Sequence, residues 1–332
     1  MPDKPTTIIQ SLRPSSIEEY IGQESAVKTL RIFLDGVNKR GQASEHILFY
    51  GPPGIGKTTL SYIIARELKG DLKVTTGATL TKTGDLAAIL TNLKDNDVLF
   101  IDEIHRMPKA VEEMLYPVME EYFLDIIIGK GPSARTMRLP IPRITIVGAT
   151  TKLAMLSGPL RDRFGLLLRL DFYHDEEMAS IVKRSAKLLD IALSDDAAYI
   201  IAKRSRRTPR IANRILKRAH DVAQSHNVTI IDSKLLTKLF GLLEIDSVGL
   251  TDIDVQYLNA IANTFENDPV GVETLSSSLA EDKRTIEEFI EPYLLQIGFI
   301  KKTPRGRIVT QTGLKHLKLN KDISSQQDKL IW

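Results

Sequence analysis

Ile47–Thr59 reads ILFYGPPGIGKTT. The apolar run Ile47–Tyr50 meets a Gly/Pro-rich turn, and Thr59 to Leu68 then repeats apolar residues at helical spacing, so strand, loop and helix follow one another. Within this unit Gly51–Thr58 satisfies GxxxxGK[ST] in the context that motif requires, after a strand and before a helix. Gly51, Gly54 and Gly56 let the backbone wrap around phosphate oxygens. Successive N–H groups and the helix N-terminus donate to those oxygens, and Lys57 reaches the terminal phosphates. Thr58, followed by Thr59, offers a hydroxyl to Mg²⁺, a hard cation that prefers oxygen ligands. Two glycines, a lysine and a Ser/Thr at four fixed places arise by chance in about one chain in a hundred of this length. A plain turn between strand and helix has no need of Lys57 and Thr58.

Working outward, Val98–Ile101 (VLFI) and Ile144–Val147 (ITIV) are further strand candidates with helical patterns between them, which reads as a parallel α/β sheet. The first of these runs into Asp102 and Glu103, at the C-terminal end of a strand, where ligand-facing residues of parallel sheets lie. Beside a phosphate loop, Asp102 can hold Mg²⁺ through water and Glu103 can orient or deprotonate an attacking water. The second ends in GATT, so Thr150 and Thr151 emerge on the same sheet edge, and a hydroxyl there can read a terminal phosphate. Thr150 is preferred over Thr151, although β-propensity alone also places Thr at strand ends. LRDRFG supplies Arg161 and Arg163, and TPRIANRIL opens a helix at Pro209–Arg210. An arginine supplied in trans stabilises charge on a transferring phosphoryl group, whereas a lone surface arginine is ordinarily a solvated charge.

At 332 residues the chain exceeds one compact core, so two or three domains are expected. Its 42% hydrophobic and 26% charged residues match ordinary globular usage, and no apolar run is long enough to span a bilayer. The absence of cysteine leaves neither a disulfide framework nor a thiolate metal site, and MPDKPTTIIQSLRPSS lacks the apolar core of a secretory signal, so a cytoplasmic protein is expected. With 45 basic against 42 acidic residues, a nucleic-acid surface must be a local patch. After Asp171–Tyr173, the segments Glu176–Leu189, Asp195–Arg204 and Thr208–His226 read as amphipathic helices of a small helical domain. Beyond the polar break Glu244–Asp246, Val255–Phe265, Val272–Leu279 and Arg284–Leu295 read as three helices. Phe299–Thr303 and Arg307–Thr310 follow as short strands about Pro304–Gly306, the pattern of a winged helix. The polar tail Lys318–Trp332 is expected to be partly disordered.

The set GPPGIGKTT, FIDEIHR, GKGPSAR, IVGATT, GPLRDRFG, TPRIANRIL, EPYLLQIGF and TPRGR, in this order between about Leu12 and Leu317, resembles the RuvB family of Holliday-junction branch-migration ATPases. GKGPSAR and EPYLLQIGF are not shared by AAA+ ATPases at large. The resemblance implies an α/β fold in three parts: a large AAA+ P-loop parallel-sheet domain (1–173), a small helical lid (174–245) and a C-terminal winged-helix DNA-binding domain with a polar tail (246–332). It implies that ATP or ADP is bound with Mg²⁺, that Leu12, Arg13 and Tyr173 line the adenine pocket, and that Arg210 is a second sensor. Arg163 is then an arginine finger presented to a neighbouring subunit, and Glu120, Glu121 and Tyr122 lie in a nucleotide-contacting stretch. The segment Phe123–Arg138, with Ile126, Ile127 and Ile128, is implied to be the hairpin that docks the junction-binding partner RuvA. Read without the family, Ile126–Ile128 is equally a buried strand. In the winged helix Lys302, Arg305 and Arg307 decorate a wing whose cations can neutralise DNA phosphates without reading bases, although a merely soluble hairpin has the same composition.

Three features depart from the family pattern. ATTKLAM stands where ATTR and a small Ala-Gly pair are expected, Lys302 replaces the more usual Arg and so loses the bidentate fork, and Arg207 precedes TPR where a small residue is usual. The expected activity is ATP hydrolysis coupled to branch migration by a homo-hexameric ring, working with RuvA and the resolvase RuvC in recombination and DNA repair. A clamp-loader-like ATPase shares the phosphate loop and finger, but the winged helix with TPRGR argues against it. A non-hydrolysing nucleotide-switched DNA regulator is disfavoured by Glu103 and Arg163.

Overall fold

The structure, a computed structural model, describes residues 12–41, 44–128 and 135–317, with backbone alone at 127 and 128. The expected disorder of the tail therefore lies outside the described residues, as does most of GKGPSAR. The chain forms two compact units: one runs to Ile191 and includes Arg207–Asn213, and the other comprises Ala192–Arg206 and the chain from Arg214 onward.

In the first unit the order is α1 (Glu24–Arg40), β1 (Ile47–Tyr50), α2 (Lys57–Glu67), β2 (Leu72–Thr76), α3 (Thr83–Leu90), β3 (Val98–Asp102) and α4 (Lys109–Glu121). Then follow β4 (Phe123–Ile128), β5 (Arg135–Pro140), β6 (Thr145–Thr150), α5 (Gly158–Asp162), β7 (Leu166–Arg169) and α6 (Asp175–Leu188). Five strands form one parallel sheet in the order β2-β3-β6-β1-β7. The central strands are near-continuous apolar runs because helices cover both sheet faces and leave no solvated side: Ile47, Leu48 and Phe49 of β1 and Val98 to Ile101 of β3 are wholly buried. The register sets Tyr50 opposite Thr150 and Thr76 opposite Asp102, so the phosphate loop, Asp102 and Thr150–Thr151 leave the sheet along one edge.

The sheet corrects the sequence reading in three places. β6 runs over Thr145–Thr150 instead of Ile144–Val147, so Thr150 is the last strand residue. β2 and β7 were not read as strands. β2 is an outer strand whose residues are mostly half-exposed, and β7 is a four-residue outer strand whose Leu167 is exposed, so neither carries the burial pattern of a central strand. β4 and β5 form the antiparallel hairpin that the resemblance implied, Phe123 opposite Pro140 and Asp125 opposite Arg138, with Ile126 half-buried against the core.

The second unit contains α7 (Asp195–Arg204), the later part of α8 (Pro209–Ser225) and α9 (Ser233–Leu242), followed by α10 (Asp252–Asn259), α11 (Val272–Leu279) and α12 (Glu291–Gln296). A hairpin of β8 (Ile300–Thr303) and β9 (Gly306–Val309) completes it, with Val270 bridging to Arg307. One apolar cluster, including Tyr257, Leu258, Leu275, Ile290, Leu294 and Ile300, joins these last helices to the hairpin. Arg206 is buried and pins the connection: Nε donates to Gly249 O (2.9 Å), and the guanidinium pairs with Asp254 and lies over the rings of Phe289 and Tyr293.

Candidate nucleotide-binding site

The loop between β1 and α2 is tied to β6 by Gly51 N–H donating to Thr150 O (3.2 Å). Gly51 (φ 145°) and Gly56 (φ 111°) are required by conformation and by space, since a Cβ would strike the Leu170 carbonyl at the first and the Tyr20 hydroxyl at the second. Lys57 opens α2 and is buried; Nζ donates to Gly51 O (2.8 Å) and Pro52 O (2.7 Å). Burial lowers its pKa to about 8, against the opposing pull of Asp102 and Glu103.

This loop forms one wall of a cavity of about 410 Å³. Its lining includes Gly54, Gly56, Lys57, Thr58, Thr59, Asp102 and Glu103, together with Leu12, Arg13, Tyr173 and Arg210. These residues come from five separate stretches of sequence. Gly51 lies in the loop behind the lining. Tyr20, Ile21, Ile181, Ser185 and Asn213 also line the cavity and were missed; the apolar pair Tyr20–Ile21 before Gly22 was the available signal.

Two buried tyrosine hydroxyls meet beside the loop. Tyr20 donates to Ile55 O (3.3 Å), and the Tyr173 hydroxyl sits 3.0 Å from that of Tyr20. Burial pushes Tyr173 up to about 12 and Tyr20 well above the usual tyrosine value, so both remain neutral hydroxyls. Arg184 of α6 holds the N-terminal segment in place by donating to Leu12 O (2.8 Å) and pairing with Glu19 (3.1 Å), while Arg13 stacks 4.7 Å over Tyr62.

At the sheet edge, Glu103 accepts from Thr151 Oγ1 (3.2 Å). Thr150 is wholly buried, its Oγ1 accepting from Lys152 N–H (2.9 Å) and lying 2.9 Å from His105 Nδ1. This corrects the preference for Thr150 as the phosphate reader. A hydroxyl with no exposed surface cannot meet a ligand, and Thr151 is the partly exposed member that touches the acid. The basic side chain of Lys152, in the altered turn, is exposed.

Besides Gly51 and Thr150, four residues expected at the nucleotide site do not line the cavity. Arg163 pairs with Glu120 (2.9 Å), donates to Pro159 O (2.7 Å) and stacks 4.2 Å over Tyr116. Glu121 lies 3.7 Å from Arg138, and Tyr122 caps α4 in a left-handed conformation. In the second unit Arg305 is exposed at the wing, whereas Arg307 is tied to Glu291 (2.7 Å) and Glu287 (3.2 Å), and Lys302 to Glu291 (2.6 Å). Glu291 is wholly buried, which alone would raise its pKa; Arg307 and Lys302 outweigh that and hold it below the usual carboxylate value. Of the three wing cations Arg305 is therefore the one not spent on Glu291. Among the described residues no cluster of three or more His, Asp or Glu side chains forms a metal site, and no helix is long and apolar enough to cross a membrane.

A parallel sheet carrying a phosphate loop and an acidic strand end, with a helical segment and a winged helix after it, defines a P-loop nucleotide-binding protein of the AAA+ type. Family models agree along the chain: the Holliday junction DNA helicase RuvB P-loop domain matches residues 12–170, the RuvB AAA lid domain 173–246 and the RuvB C-terminal winged helix domain 247–318. The chain belongs to the RuvB family of P-loop ATPases. It is 53% identical over 310 residues to the Holliday junction branch migration complex subunit RuvB of Methanoregula boonei, covering 93% of this chain and 92% of that one. Among solved structures, the RuvB Holliday junction branch migration motor of Thermotoga maritima matches with a TM-score of 0.84 at 47% identity, covering 93% of this chain and 99% of that one. A point mutant of the same Thermotoga protein matches with a TM-score of 0.85 over 92% and 98%.

Proposed function

We propose that this chain is a DNA motor that hydrolyses ATP to drive branch migration of Holliday junctions, working as a homo-hexameric ring with RuvA and RuvC. The observation that carries the reading is the convergence of Lys57, Thr58, Asp102 and Glu103 on one cavity, with Arg163 outside that cavity. Thr58 and Asp102 supply two oxygen donors, which suits Mg²⁺ held mainly by phosphates and water; bound there, the ion would neutralise phosphate charge. Lys57 leaves the loop carbonyls for the terminal phosphates. Glu103 takes a proton from the water that attacks the γ-phosphorus, the bond to the β-phosphate oxygen breaks, and ADP leaves. Thr151 couples that phosphate to Glu103, and Arg210 closes on the nucleotide from the start of α8. An arginine outside its own cavity needs a neighbour's nucleotide as its target, so turnover requires assembly. The hairpin β4–β5 is the proposed RuvA contact, with Ile126 contributing packing at its base, and Arg305 leads the wing's contact with DNA phosphates.

The deciding experiment is strand exchange on a synthetic four-way junction with ATP and Mg²⁺, with and without RuvA. Movement of the junction with ATP, lost in Glu103→Gln, supports the motor. Active ATPase with no junction movement in either condition favours a clamp-loader-like enzyme, and equal behaviour of Glu103→Gln and wild type favours a nucleotide-switched regulator.

A further inference from the structure

The acid at the end of β3 is held from behind by groups that do not line the cavity. Glu103 departs from the strand in a left-handed conformation (φ 47°), and its Oε2 has two neighbours, Thr151 Oγ1 at 3.2 Å and His105 Nδ1 at 3.3 Å. The same Nδ1 lies 2.9 Å from Thr150 Oγ1, which in turn accepts from Lys152 N–H. The His105 side chain is only 6% exposed and Thr150 is not exposed at all, so the ring has little room to turn.

An imidazole Nδ1 carries at most one hydrogen. Bare, it would accept a hydrogen bond from the Thr150 hydroxyl and face the carboxylate with a lone pair; protonated, it can donate toward the carboxylate. With a carboxylate oxygen at 3.3 Å and the threonine oxygen at 2.9 Å both facing Nδ1, the second tautomer is the one that suits both, its single hydrogen shared between them. We propose that His105 is a positioning residue for Glu103: its Nδ1–H and the Thr151 hydroxyl fix Oε2 from two directions and leave Oε1 to face the attacking water. This rests on the reading of Glu103 as the group that activates water. His105 is not among the residues that line the cavity, whereas Glu103 is, so removing the imidazole acts on turnover and not on nucleotide affinity.

The test compares three substitutions in the full-length protein, assembled on DNA. In His105→Asn the amide nitrogen falls close to the place of Nδ1, in His105→Gln the donor sits near the far ring nitrogen, and His105→Leu has none. His105→Leu and His105→Gln are expected to lower kcat by at least about tenfold, with KM and the calorimetric affinities for ATP and ADP within about twofold of wild type. His105→Asn recovers most of the rate, and the thermal midpoint of all three stays near that of wild type. Native kcat in His105→Leu overturns the proposal. So does an equal loss of rate in all three variants, or a loss of rate that follows affinity or the thermal midpoint. Native turnover in Glu103→Gln brings down the underlying hydrolytic reading instead, whereas an inactive Glu103→Gln beside a fully active His105→Leu brings down only the role of His105.

Discussion

Lys57 is the residue whose ionisation is most strongly coupled to ligand binding. Burial brings its pKa to about 8, and a bound polyphosphate favours the charged form. In the unfolded chain the group returns to 10.5, so unfolded protein binds more protons between those values, and the contribution of Lys57 to stability rises with pH across that window. For binding the sign is opposite: above about pH 8 Lys57 has lost the proton that the complex needs. ATP affinity is expected to fall as pH climbs past about 8, by up to about tenfold per unit. Calorimetry in buffers of different ionisation enthalpy checks this, because proton uptake should accompany binding at about pH 9 and vanish at about pH 7. The neighbouring threonines differ in the same physical way. Thr150 and Thr151 are adjacent in sequence, but the first, the last residue of β6, is wholly buried, and the second, in the bend beyond the strand, meets Glu103.

The elements are locked together by a few buried polar groups whose loss is measurable. His46, just before β1, accepts from Ile146 N–H of β6 at Nδ1 (3.0 Å), and its Nε2 faces Met119 O of α4 (3.0 Å). Both nitrogens are satisfied only by the neutral ring, and burial lowers its pKa to about 4. The unfolded chain therefore binds the extra proton first as pH falls from 6.5, and stability drains away between there and about 4, amounting to about 3 kcal/mol across the window. Urea unfolding against pH should show that slope in wild type and a flatter one in His46→Gln. In the winged helix the buried pair Glu291–Arg307 sets the pose of the wing. Arg307→Ala leaves Glu291 with Lys302 and the Tyr257 hydroxyl (3.0 Å), so destabilisation of about 2 kcal/mol is expected, less than for a buried charge stripped of every partner. Arg305→Ala, whose side chain is exposed, should leave thermal unfolding unchanged and weaken DNA binding, which separates the two arginines by calorimetry and by a salt titration.

For the whole molecule, the position of Arg163 has the largest consequence. It is held by Glu120, Pro159 O and the Tyr116 face, and in its own chain it does not reach the cavity that holds Lys57 and Glu103. If its target is the nucleotide of an adjacent copy, Lys57→Ala and Arg163→Ala are defects on opposite sides of one interface. Each variant alone should hydrolyse ATP about 10³-fold more slowly than wild type. An equimolar mixture should regain activity, because some interfaces then join an intact loop to an intact arginine. A mixture no faster than its components would show that the two residues serve the same subunit.

The sequence by itself determined the parts whose physics is local. A phosphate loop between strand and helix is written in contiguous residues, as is the acid pair at a strand end, because the backbone that binds phosphate is the backbone of the motif. The apolar runs of β1 and β3 were legible because strands buried on both faces admit little else, and the class of fold followed from their alternation with helices. Only the tertiary structure decided what depends on residues distant in the chain. Tyr20 meets Tyr173 across 153 positions, and His105 meets Thr150 across 45. The same holds for the outer strands β2 and β7, half-exposed and so without a burial signature, and for Arg307, whose charge is consumed by Glu291 sixteen residues away. Periodicity specifies which face of an element is buried. Which side chain finds a partner there is settled by packing between elements, and that decides which threonine can face a ligand and which arginine remains available for one.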